Sequence, residues 1–80
     1  MTTNEIVAKR VLQLMRERNM TQYRVEQRSG VYHSVMSRVL HNRNSTITLA
    51  TVYKLANGFD MSLREFLDDD IFCSEDIEVE

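Results

Sequence analysis

Few residues in this 80-residue chain could do covalent or metal chemistry. Cys73 is the single cysteine, and His33 and His41 are the two histidines. A lone cysteine forms no internal disulfide and no multi-cysteine zinc site. The histidines are eight positions apart, with no HxxxH or CxxC spacing, so no metal site is expected. Nothing around Cys73 suggests a nucleophile's pocket or an oxyanion donor. A short helical chain also offers little concave surface, so neither enzyme activity nor a cofactor is expected. Asn19-Met20-Thr21 and Asn44-Ser45-Thr46 match the glycosylation pattern. No signal peptide opens the chain, so both read as coincidences. No apolar run approaches the roughly 18 residues of a membrane span. The expectation is a small cytoplasmic domain with a reduced thiol.

What remains is the chemistry of charge and hydrogen bonding, and here placement matters. The net charge of −2 conceals two halves of opposite sign. Residues 1–64 carry all ten Lys and Arg against Glu5, Glu17, Glu26 and Asp60, a net of +6. Residues 65–80 carry eight acids and no base, a net of −8. A pI of 5.6 read alone argues against a polyanionic partner. Read by halves, the chain is a basic domain followed by an acidic tail.

The elements that must position these charges are helices. The chain has no proline, no tryptophan and only two glycines, which excludes disordered and collagen-like classes and allows one domain. Thr2 and Glu5 have capping-box spacing, with Met1 and Ile6 placed for a hydrophobic staple. Val7, Val11 and Leu14 follow on one stripe, with Lys9, Arg10, Gln13, Arg16 and Glu17 on the polar face. This first helix is expected to end near Arg18 or Asn19, where asparagine tolerates a left-handed cap. Thr21 caps a second, short helix that ends at Ser29-Gly30. A third runs from Tyr32 or His33 to His41, with Met36, Val39 and Leu40 inward. Residues 42–46 have no periodicity and read as a loop. Thr48 caps a fourth helix, expected to bury Leu49, Val52, Tyr53, Leu55, Ala56 and Phe59, and Asp60 sits where it must reverse. Ser62 and Glu65 form a second capping box, opening a fifth helix from about Leu63 to Asp69.

Two short helices joined at a glycine, with a longer one before them, suggest a helix-turn-helix. Counting Gln22 as the first position of the unit, Gly30 is the ninth. Val25, Val31, Met36 and Val39 fill the fourth, tenth, fifteenth and eighteenth. These must be apolar, because the two helices cross steeply and pack through them.

On these residues the chain resembles the lambda-repressor-like (Cro/XRE-type) helix-turn-helix regulators. The matching segments are Met20-Thr21-Gln22, Ser29-Gly30-Val31, Met36-Ser37-Arg38-Val39, Ile47-Thr48-Leu49 through Leu55-Ala56, and Met61 through Leu67. The resemblance covers roughly residues 5–67 and implies an all-α, compact five-helix domain. Three departures stand out. The fifth position, usually small and often alanine, is Glu26, whose carboxylate is expected to lean outward toward an arginine. The eighth, usually apolar, is Ser29. An arginine–glutamate pair common in the family is replaced by Met15 and Leu40, an exchange that costs no stability where it substitutes an apolar pair for a buried ionic one.

The resemblance further implies a double-stranded DNA partner, with the helix at about 33–41 in the major groove. By position, His33, Ser34, Ser37 and Arg38 face the bases. Arg38 is the foremost specificity candidate, since its fork matches guanine O6 and N7. Gln22, Tyr23, Tyr32, Arg43 and Asn44 are the expected phosphate contacts; at Gln22 the backbone N–H groups of a helix start also favour an anion. His41 is expected only to favour its helix's C-terminal dipole.

The domain boundaries that follow are 1–69 for the DNA-binding domain and 70–80 for an acidic tail, either mobile or an arm. Members of the family commonly dimerise around the last helix, so Phe66, Ile71 and Phe72 are the expected homodimer contacts. The implied function is a transcriptional regulator acting as a repressor. The rival reading is a protein-interaction module, antitoxin-like or an adaptor, that holds a protein partner through the tail.

Overall fold

The computed structural model describes residues 2–41, 46–73 and 77. Every element among the described residues is helical: α1 Thr3–Arg18, α2 Gln22–Ser29, α3 His33–His41, α4 Leu49–Gly58, α5 Leu63–Phe66, and a closing 3-10 turn Asp70–Cys73.

The caps fall where the sequence predicts them. The Thr2 hydroxyl accepts from the Glu5 N–H while the Glu5 carboxylate accepts from the Thr2 N–H, and Ser62 and Glu65 repeat this reciprocal pair at α5. Thr21 and Thr48 cap α2 and α4 in the simpler way. Asn19 ends α1 in the left-handed conformation at φ 56°, and Asp60 makes the reversal after α4 at φ 57°. Met1, of the expected staple, lies outside the described residues.

One core holds the helices. Val7, Val11 and Leu14 of α1 meet Val25, Val31, Met36 and Val39 of the helix-turn-helix, and Val52, Leu55, Ala56, Phe59 and Phe66 close it from the other side. Met15 and Leu40 are half-buried against this cluster. The buried face of α4 is narrower than expected. Leu49 is 65% exposed and Tyr53 53%, because the inward stripe is Val52, Leu55, Ala56 and Phe59. Tyr53 lies about 100° round the helix from Val52, and Leu49 sits in the first turn beyond the core. Leu67 is also exposed.

Arg10 corrects its placement on the polar face of α1. Its guanidinium is buried and serves the end of α5. Nε donates to the Phe66 carbonyl at 2.8 Å, one Nη to the Glu65 carbonyl at 3.1 Å, and the other reaches Asp69 at 3.4 Å. The same group lies 5.9 Å from the centre of the Phe66 ring. This explains why α5 stops at Phe66 instead of continuing to Asp69. Its last carbonyls are already satisfied by Arg10, and three successive aspartates are unfavourable at the negative end of a helix. Asp69 then caps the 3-10 turn, accepting from the Ile71 N–H at 3.0 Å. That turn lays Phe72 against the core, its ring centre 6.1 Å from that of Phe66.

Candidate nucleic-acid interface

The interface is built from the second and third helices and the turn between them. Gly30 takes the left-handed conformation at φ 76°, and its N–H donates to the Glu26 carbonyl, closing α2. The Ser29 hydroxyl accepts from the Val31 N–H at 3.2 Å. Serine at this position therefore satisfies a donor in the turn that an apolar residue would leave open. The Tyr32 carbonyl accepts the first intrahelical bond of α3, from Met36 at 2.9 Å. Tyr32 thus stands at the N-cap position, with its side chain 79% exposed.

Asn4, unremarked in the sequence, steadies the far end of α3. Its buried side-chain amide donates to the Val39 carbonyl at 2.9 Å, tying α1 to α3. No spacing rule points to such a bond, because it joins residues 35 positions apart.

Three of the expected contact residues, Gln22, Tyr23 and His33, lie together, whereas Tyr32 and Arg38 line separate depressions. Gln22 and Tyr23 open α2, and His33 and Ser34 open α3, so the two helix starts are adjacent. Gln22, Tyr23, Glu26 and His33 line a single shallow depression. Tyr23, Tyr32, His33, Ser34 and Arg38 are exposed, and Gln22 and Ser37 are half-buried. Arg43 and Asn44 lie outside the described residues. Of the expected dimer contacts, Phe66 is fully enclosed in the chain's own core and presents no surface to another copy, while Ile71 and Phe72 are half-buried.

The basic residues divide by task, which a charge count does not reveal. Arg10 holds α5. Arg18 donates to the Phe59 carbonyl and Arg28 pairs with Asp60, so both brace the turn after α4. Arg38 has no hydrogen bond or ion pair among the described residues, and its guanidinium stands in solvent above a groove edged by Thr46, Thr48 and Thr51.

Glu26 departs from the sequence expectation. Among the described residues it engages no arginine. One of its oxygens, Oε2, accepts from Gln22 Nε2 at 3.0 Å and meets His33 Nδ1 at 2.9 Å. The Gln22 amide, then the contact with His33, hold the carboxyl below its ordinary value, against the opposing effect of burial. Glu26 therefore links the starts of both helices.

Two short helices joined at a left-handed glycine, the second presenting its N-terminal turn and the exposed Arg38 to solvent, form a helix-turn-helix of the DNA-binding kind. The chain belongs to the family of Cro/C1-type HTH DNA-binding domains, which matches it over residues 10–70. No curated protein and no solved structure matches it significantly. No helix among the described residues is long and apolar enough to cross a membrane.

Proposed function

We propose that this DNA-binding regulator is a cytoplasmic repressor that inserts α3 into the major groove of a specific operator. The observation that carries the reading is the depression that Gln22, Tyr23 and His33 share at the starts of α2 and α3, together with an exposed Arg38 that has no ion pair among the described residues. His33, Ser34, Ser37 and Arg38 read base edges. Gln22, Tyr23, Tyr32, Arg43 and Asn44 hold phosphates on either side. The protein acts as a homodimer on a partly palindromic site, with half-site centres about one helical turn apart. Ile71 and Phe72, which follow the exposed Leu67 in the chain, form the dimer contact.

The test is selection from a randomised duplex pool, followed by footprinting on the selected sequence and sedimentation of the complex. A partly palindromic site bound by two chains is expected, with protection centred on two major-groove faces. No binding to any duplex, even at low salt, would overturn the reading and leave the tail as the functional part.

A further inference from the structure

Glu26 and His33 form a directed pair on the face assigned to DNA. The Glu26 side chain is 12% exposed and the His33 side chain 77%. The carboxylate is thus set back in the protein while the imidazole stands forward of it. A second donor, Gln22 Nε2, converges on the same carboxylate oxygen, so Glu26 is held from the α2 side as well. The carboxyl titrates below its ordinary range, so near neutral pH it can only accept hydrogen bonds. The proton in the 2.9 Å contact must therefore sit on His33 Nδ1. In a neutral imidazole that leaves Nε2, across the ring, as a bare acceptor. Nε2 has no partner among the described residues.

An acceptor fixed at this place discriminates between bases. In the major groove adenine N6 and cytosine N4 are donors, whereas guanine O6 and N7 and thymine O4 are acceptors. The opposite tautomer, with the proton on Nε2, would reverse the preference. We propose that Glu26 is a positioning residue that holds His33 in its Nδ1–H form, so that Nε2 selects a base bearing an exocyclic amine, adenine or cytosine, at one operator position. This rests on the reading of α3 as the base-reading helix. It assigns a role to the position where the family resemblance expects a small residue.

The test has two arms on the full chain. In the first, the imidazole nitrogens are observed by 15N NMR without DNA, at a pH where both histidines are neutral. His41, exposed and without a carboxylate partner among the described residues, serves as the internal reference. His33 is expected to show a protonated Nδ1 and a bare Nε2, and His41 the Nε2–H form that free imidazole side chains favour. In Glu26→Ala, His33 is expected to shift toward the His41 pattern. Alanine is a strong helix former, and the site lies outside the core, so the variant should fold. If His33 and His41 already look alike in the unaltered chain, the inference is overturned whatever the variant does.

In the second arm, base preference is measured on selected duplexes. At the position where His33→Ala abolishes the preference, Glu26→Ala is expected to lower discrimination for adenine or cytosine at least about fivefold. Preferences at positions read by Arg38 should stay unchanged. An identical preference in Glu26→Ala and the unaltered chain overturns the inference alone. Failure of the unaltered chain to bind any duplex overturns the regulator reading itself.

Discussion

Gly58 and Ser29 meet where α4 crosses α2, so closely that a Cβ on Gly58 would lie 2.8 Å from the Ser29 Cβ. Backbone atoms of Ser29 lie only 3.1 Å from the same point. The obstacle is therefore the helix itself and not a flexible side-chain tip. Two unusual choices explain each other here. A serine at the end of α2 is small enough to admit α4, and a glycine at the end of α4 completes the approach.

Gly58→Ala is accordingly expected to destabilise the protein, although alanine is the better helix former by about 1 kcal/mol. Forcing one methyl into a packed crossing costs about 1–3 kcal/mol, and the separation of α2 from α4 should make this the larger effect. Urea unfolding should show a lower midpoint with an unchanged slope. A midpoint equal to or above that of the unaltered chain would mean that the crossing relaxes freely.

Arg10 should be among the most sensitive surface-named residues to replace. Arg10→Ala takes the Arg10 donor from the buried Phe66 carbonyl, leaves the Glu65 carbonyl with only its backbone donor from Asp68, and removes the ion-pair partner of Asp69. The expected loss is about 3 kcal/mol, because the buried Phe66 acceptor loses its bond without regaining water and Asp69 loses its charged partner. Arg10→Lys should restore little of it, since one ammonium cannot reproduce the two-sided fork. Thermal unfolding of the three proteins checks this, and a lysine variant as stable as the unaltered chain would refute it.

These two residues show what a sequence does and does not disclose. Caps are local: Thr2 with Glu5 and Ser62 with Glu65 are legible because each box closes within three residues. The apolar positions of the helix-turn-helix are legible because packing imposes a period, and Val25, Val31, Met36 and Val39 are all buried. Arg10, Asn4 and Glu26 were hidden for one shared reason. Each acts across the fold or between helices, on partners that no periodicity connects: Phe66 for Arg10, Val39 for Asn4, His33 for Glu26. The same limit explains Leu49 and Tyr53, whose hydrophobicity suggested burial although the neighbouring helices do not reach them.

The α5 capping box should leave a signature in acid. The Ser62 backbone N–H, then its side chain, hold the Glu65 carboxyl below its ordinary value of 4.5. The folded chain therefore binds this proton less readily than the unfolded one. The stabilisation is complete above the unfolded value and is lost as pH falls through the lower, folded value. In Glu65→Gln that loss cannot occur. Stability measured by denaturant at successive pH values should fall less steeply below pH 4.5 in the variant. Parallel curves would show that the box contributes nothing that titrates.

Arg38 and the salt dependence of binding separate base reading from phosphate holding. Each phosphate contact made by a cation adds about one counterion to the slope of affinity against salt. A base contact leaves that slope alone and acts on one sequence only. Arg38→Ala is therefore expected to weaken the selected operator by about 1–3 kcal/mol while changing binding to random duplex little, with the salt slope retained. If Gln22 is the uncharged phosphate contact proposed above, Gln22→Ala should weaken both duplexes alike, also without changing the slope. If Arg38→Ala instead weakened both duplexes equally and shortened the slope by about one, the arginine would be a phosphate contact. The specificity of α3 would then have to come from His33, Ser34 and Ser37.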